Sequence, residues 1–147
     1  MHSHGSKIVI LLVCIILVVG GCNDSEGLKV TEIKIDKAKS KVKEVIENSI
    51  DKNGIYLLQQ GDNTIFLYLN GSIVETGEKA PYYENIEVVS NEDSLEIYFE
   101  EKFSSDYSES IPNRVLYEIV KDKDYEYLKV FKNGTMTHFD TIYLIGK

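Results

Sequence analysis

Three Asn-Gly pairs punctuate this chain, at positions 53–54, 70–71 and 133–134. A type I′ hairpin turn needs positive φ at both central residues, and asparagine followed by glycine meets that demand at little steric cost. Short runs rich in Ile, Leu, Val, Tyr and Phe lie between and around the pairs. Together these features direct the chain from Ile55 onward into β structure. Residues 55–60 and 64–70 flank Gly61-Asp62-Asn63 as a first hairpin, and residues 72–75 continue that meander past Asn70-Gly71. Residues 85–89 and 94–100 flank residues 90–93 as a second hairpin. There Leu95, Ile97 and Phe99 alternate with Glu96, Tyr98 and Glu100, the period of a half-buried strand. Residues 114–121 and 125–132 flank Asp122-Lys123-Asp124 as a third, and residues 135–145 follow the last Asn-Gly pair as one strand.

Ahead of this region Val30, Ile33 and Ile35 suggest a short extended segment, and the period then changes. Ile35, Ala38, Val42, Val45 and Ile46 fall within one arc of about 100° at 3.6 residues per turn, which predicts an amphipathic helix over about 36–48. Lys37, Lys39, Lys41 and Lys43 flank that arc, and Lys43 and Glu47 stand in i,i+4 register to pair. The expected fold class is α+β: one N-terminal amphipathic helix, then a mainly antiparallel β domain of seven or eight short strands, as a sandwich or half-open barrel.

The first residues carry a different message. Residues 8–19 are unbroken apolar residues behind Lys7, and Gly20, Gly21 and Cys22 follow. An apolar stretch of roughly 7–15 residues after a cation and before small residues is an export signal. It is shorter than the about 20 residues a membrane-crossing helix needs. Val19-Gly20-Gly21-Cys22 resembles the lipobox of bacterial lipoproteins. That resemblance implies cleavage before Cys22 and lipid on its sulfur, the only non-protein group expected. It divides the chain into a signal over 1–21, a tether over 22–27 and a single globular domain over 28–147. It implies a lipid-anchored protein on the extracytoplasmic face of a cell membrane. The many lysines, isoleucines and asparagines beside a single arginine, Arg114, accord with a Gram-positive source.

The chain has two cysteines, Cys14 within the signal and Cys22. No thiol is left for a disulfide, a zinc site or a nucleophile, so packing alone must hold the exported domain. Net charge is −8. Residues 28–44 carry six lysines against three acids, and the rest of the domain is strongly acidic. An acidic body argues against nucleic acid, which demands neutralised phosphates. The basic segment is placed to meet anionic headgroups or simply to solvate a helix face.

Few residues suggest chemistry. His138 is the one histidine beyond the signal, and on a strand it shares a face with Asp140. No Gly-x-Ser-x-Gly elbow supplies a nucleophile for them. A small exported hydrolase built on His138 and nearby acids is the enzymatic alternative to a non-enzyme. Asp122, Asp124 and Glu126 alternate, but the glycine and closing glutamate of an EF-hand loop are missing, so no metal site is expected. No phosphate-binding glycine loop occurs.

Ten tyrosines and no tryptophan give the chain its aromatic character. Most tyrosines fall on predicted strands, where they pack well. Tyr82, Tyr83, Phe103 and Tyr107 instead fall in two segments expected to be loops, 76–84 and 101–113. Long loops in compact domains are often functional, and exposed aromatics anchor protein interfaces. These four are the candidate partner-binding residues, the partner being another exported or membrane protein. A structural or envelope-stress role is the third class.

The order of elements from Thr64 to about Phe131 resembles the C-terminal domain of protease-complex accessory lipoproteins (PrcB-type). It runs through a hairpin, a turn with Thr76-Gly77, strands over 86–89 and 95–99, and Ile111-Pro112 leading into 115–121. That family shows Thr-Gly-Gly-Tyr at the turn; here Glu78 holds the second glycine's place and the tyrosines follow at 82 and 83. The resemblance implies a small β domain that binds and stabilises an exported partner protein.

Overall fold

The structure is a computed structural model that describes residues 27–108 and 110–146. Among the described residues it is mainly β, with one helix and two mixed sheets, neither of which closes into a barrel. In chain order the elements are β1 (Lys29–Glu32), a 3-10 turn (Ile35–Lys37), α1 (Ser40–Asn48), β2 (Gly54–Gln60), β3 (Thr64–Asn70), β4 (Ala80–Asn91), β5 (Ser94–Ser104), β6 (Arg114–Val120), β7 (Tyr127–Lys132), β8 (Thr135–Thr137) and β9 (Thr141–Ile145). The first sheet has the order β1-β6-β3-β2-β9 and the second β4-β5-β7-β8.

The two expected hairpins at the centre form. β2 pairs with β3 from Gly54↔Asn70 to Gln60↔Thr64. β4 pairs with β5 around a two-residue turn whose Glu92 takes φ +51°. Both central strands of the first sheet are apolar on both faces, so they are covered on both sides. Ile55, Leu57, Ile65, Leu67 and Leu69 meet Tyr83, Leu95, Ile97, Phe99 and Val130 of the second sheet in one apolar cluster. Tyr56, Leu58, Phe66 and Tyr68 point the other way, where Val42 and Ile46 of α1 cover them with Leu116 and Ile145. Each of those two helix residues contributes about 1.5–3 kcal/mol by leaving water.

Several expectations are corrected. Most strand pairings are antiparallel and eight strands follow α1, as expected, but β2–β9 and β5–β7 are parallel, so both sheets are mixed, and one further strand, β1, precedes the helix. β6 does not pair with β7, because its two edges are already taken by β1 and β3. β7 crosses to the second sheet and pairs parallel to β5. The connection between them docks on the β4–β5 turn, where the Glu126 and Tyr127 N–H groups donate to Asp93 O at 2.9 and 3.0 Å. Residues 135–145 are two strands in different sheets: β8 closes on β7, and β9 runs parallel to β2. The helix begins at Ser40, since Ala38 and Lys39 are extended.

Of the three Asn-Gly pairs, only Asn133-Gly134 is a hairpin turn, with φ of +51° and +78° between β7 and β8. Gly71 serves a close approach instead. A Cβ there would lie 2.6 Å from Pro81 O and 2.7 Å from Pro81 Cγ. The chain after it leaves the sheet, so residues 72–75 form no strand. At Asn53-Gly54, the remaining pair, Asn53 holds Ile73 from both sides, its Nδ2 donating to Ile73 O at 2.7 Å and its Oδ1 accepting from Ile73 N–H at 2.9 Å.

Candidate functional site

Two long connections meet at one end of the domain. Gly71 N–H donates to Asn113 O at 2.7 Å, and Tyr83 N–H donates to Pro112 O at 3.1 Å. Tyr107 reaches across, its hydroxyl donating to Glu78 O. Asn70 supports the start of the first connection: its buried Oδ1 accepts from Ser72 N–H and Ser72 Oγ at 3.2 and 2.6 Å. Between the connections lies an open concavity of about 420 Å³, lined by Ser72, Val74, Thr76, Gly77, Tyr107 and Asn113 among others. Gly77, at φ +88°, turns the chain at its rim.

The four candidate aromatics part company here. Tyr82, Tyr83 and Phe103 lie on strands rather than loops, because β4 begins at Ala80 and β5 continues to Ser104. Their register decides their faces. Pro81 is opposite Phe103, Tyr82 opposite Lys102, and Tyr83 opposite Glu101. Tyr83 therefore turns inward, 3% exposed, edge-on to Phe99 at 5.8 Å, with its hydroxyl donating to Asn70 O at 2.9 Å. Burial raises its phenol pKa, and the Glu101 charge adds to the rise. Tyr83 cannot be touched by a partner, which corrects its place among the candidates. Tyr82 is half-buried on the opposite face, beside Lys102, which is paired with Glu84 at 2.8 Å and Glu100 at 3.4 Å. Phe103 lies on Tyr83's side of the ribbon but beyond the core, 58% exposed, and Tyr107 is 59% exposed. Ile73, 56% exposed, belongs to the same end and was not singled out from sequence. Its one sequence signal is its position just past Asn70-Gly71.

A second depression, of about 280 Å³, collects His138, Asp140, Glu101, Lys132, Thr137 and the inner end of Tyr83. His138 and Asp140 are not on a strand; they lie in the crossing from β8 to β9. Asp140 Oδ2 accepts from Ile55 N–H at 2.7 Å, and Lys132 Nζ donates to Glu101 Oε1 at 3.3 Å. No serine or cysteine is among its lining residues. Among the described residues no group of three His, Cys, Asp or Glu side chains is placed to hold a metal ion. Asp122, of the alternating acids, accepts from Tyr125 Oη, and that bond lowers its pKa.

Three of the four lysines at or near α1 contact their own domain. Lys39 Nζ lies 3.3 Å from Gln60 Oε1 and 6.0 Å from the centroid of Phe66, Lys41 Nζ donates to Gly146 O at 3.1 Å, and Lys43 lies 3.8 Å from Glu47. Cys22, the expected signal over 1–21 and the expected tether up to residue 26 lie outside the described residues. Among the described residues no helix is long and apolar enough to cross a membrane. No protein-family model matches the chain, and no curated protein or solved structure matches it either.

Proposed function

We propose that this protein is an exported domain, anchored by lipid on Cys22, that binds a partner protein at the end where its two long connections meet. In this reading the fold is a two-layer sandwich covered on one outer face by α1. The observation that carries the reading is the placement of Phe103, Tyr107 and Ile73, all more than half exposed, at the end that holds the 420 Å³ concavity. Large exposed apolar side chains around a concavity are what an interface anchors itself on. The resemblance in element order to protease-complex accessory lipoproteins supports the same class of partner.

The test is crosslinking on intact cells followed by affinity capture of the full chain. Phe103→Ala with Tyr107→Ala should remove the captured protein while the thermal unfolding midpoint stays near that of wild type. Capture unchanged by the double substitution defeats the loop-end assignment. The anchor is tested separately: an alkyne-bearing fatty acid should label the wild-type chain and not Cys22→Ala.

One observation favours a second reading, an exported hydrolase. His138, Asp140, Glu101 and Lys132 share one depression, with Thr137 as its only aliphatic hydroxyl. A panel of ester, amide and glycoside substrates turned over by wild type and not by His138→Ala would establish it.

A further inference from the structure

Gly27, the first described residue, lies where β1 begins, β6 finishes and β2 turns into β3, lining one depression with Lys29, Asn63, Val120 and Lys121. The Phe103–Tyr107 concavity lies at the opposite end, past Asn70 and Gly71. The seven residues of β3 separate the two ends by about 20 Å. Register places lysines on one side of the Gly27 end. Lys29 is opposite Val120, and Val120 is opposite Thr64, so all three share the face of Phe66 and Leu116 that α1 covers. On that face Lys39 Nζ lies 4.0 Å from Glu118 Oε2 and 3.3 Å from Gln60 Oε1. Lys41 Nζ donates to Gly146 O, just past β9. Lys29, Lys39 and Lys41 therefore form a row from β1 to β9. Their segment, residues 28–44, holds six lysines against three acids. The other side of the same end is acidic: Asp93, Asp122, Asp124 and Glu126 gather where the β6–β7 connection docks on the β4–β5 turn.

We propose that the lysine row docks on an anionic lipid surface, so that the domain leans on the α1 side of its Gly27 end. The inference rests on the lipid anchor at Cys22. Five residues carry the chain from Cys22 to Gly27, a reach of at most about 18 Å. The lipid surface must lie within that reach of Gly27, and charge decides which side of the end meets it. Anionic headgroups repel the acidic side. They attract the lysine row, and a lysine near such a surface strengthens binding by about fivefold. Phe103 and Tyr107, about 20 Å away along β3, are then held clear of the lipid and open to a partner. The anchor supplies attachment, and the lysine row supplies orientation.

The test uses the lipidated chain, purified from cell membranes and added to vesicles of phosphatidylglycerol and phosphatidylcholine in equal parts or of phosphatidylcholine alone. With Cys22 acylated and Cys14 removed with the signal, no free thiol remains, so one substitution places one dye. Ser40→Cys sits beside the lysine row, Asp124→Cys on the acidic side and Phe103→Cys at the far end, all at exposed positions. Quenching by a lipid with a nitroxide headgroup should be several-fold greater at Ser40→Cys than at the other two on the anionic vesicles. It should fall to their level on phosphatidylcholine, and in 1 M salt, where the Debye length is about 3 Å. Adding Lys29→Gln, Lys39→Gln and Lys41→Gln should lower it equally, with circular dichroism confirming the fold. Equal quenching at the three sites on anionic vesicles overturns the proposal, as does Ser40→Cys quenching that ignores lipid charge. Either result leaves the anchor and partner capture standing. Dye on the wild-type chain would instead reveal a free Cys22, which overturns the anchor and this inference with it.

Discussion

Asp140 and Ile55 exchange hydrogen bonds in both directions. Ile55 N–H donates to Asp140 Oδ2, and Asp140 N–H donates to Ile55 O, each at 2.7 Å. This pair receives the chain as it crosses from β8 in the second sheet to β9 in the first. One backbone bond and one side-chain bond here substitute for a rung of the sheet ladder, one residue before the parallel register with β2 begins at Tyr56↔Thr141.

Removing the carboxylate should loosen that crossing. Asp140→Ala leaves a partly buried N–H without its acceptor, an omission that costs about 1–3 kcal/mol. Asp140→Asn keeps an oxygen in reach and should lose less. Gly54→Ala should act on the same contact from the other side, because its Cβ would lie 2.6 Å from Asp140 Oδ2 and 2.9 Å from Cγ. Urea unfolding midpoints order the three variants. Equal stability of Asp140→Ala and wild type would mean that the crossing is held by the backbone alone.

Tyr83 separates folding from binding. Its ring packs edge-on against Phe99 and its hydroxyl donates to Asn70 O inside the core. Tyr83→Phe should cost about 0.5–1.5 kcal/mol, and Tyr83→Ala about 3–5 kcal/mol through the cavity it opens. Neither reaches the surface that Phe103 and Tyr107 present. Capture of a partner by the folded fraction of Tyr83→Phe should equal wild type. Reduced capture by a variant that remains fully folded would place Tyr83 in the interface.

The sequence was most legible where one side chain pattern had one solution. The β2–β3 and β4–β5 hairpins, the apolar arc ending in Val42 and Ile46, and the turn at Asn133-Gly134 follow from periodicity and turn chemistry. The β6–β7 connection was misread because a short acidic turn between two apolar runs suits a hairpin locally. Only the pairing of β6 with β1 and β3, set by residues about 50 to 90 positions earlier, forbids it. Residues 135–145 were misread for the same reason: Asp140 has no local signal for reaching Ile55. Tyr82 and Tyr83 look alike as neighbours in a presumed loop, and only the strand register reveals that one is inside and the other outside. Ile142 and Leu144 alternate with Tyr143 and Ile145, but nothing in the sequence tells how far the opposite sheet extends over them.

Glu96 should govern part of the acid response. It is 8% exposed, accepts from Tyr98 Oη at 2.6 Å and from Asn91 Nδ2 at 3.2 Å, and lies 3.8 Å from Lys129. Tyr98 is fixed in turn by stacking on Phe131 at 4.5 Å. The Tyr98 hydrogen bond lowers the Glu96 pKa, against the opposing effect of burial, and Asn91 and Lys129 assist. A depressed carboxyl pKa in the folded state means that the unfolded chain takes up the proton first as pH falls. The stabilisation is present above the ordinary carboxylate value and is lost as pH drops through the folded one. Tyr98→Phe should be less stable than wild type at neutral pH, and the difference should shrink in acid. A gap that stays constant with pH would assign the loss to packing on Phe131 alone.

The alkaline response should report the β1–β6 pairing. Glu32 and Tyr117 are opposite one another in that ladder. Burial, then the Glu32 charge and its hydrogen bond, push the Tyr117 phenol up to about 12. An unfolded tyrosine loses its proton near pH 10. Between those values the folded chain holds a proton that the unfolded chain has released, so stability falls as pH rises through the window. Tyr117→Phe has no proton to lose and should unfold with a weaker pH dependence from about pH 10 to 12, measured as the difference in urea midpoint from wild type. Other buried tyrosines contribute equally to both chains and cancel in that difference. Glu32→Gln should move one phenol's ionisation to lower pH in ultraviolet difference spectra, because the charge and the carboxylate hydrogen bond are gone while the burial remains. An unchanged titration in Glu32→Gln would leave burial as the sole cause and detach β1 from the alkaline transition.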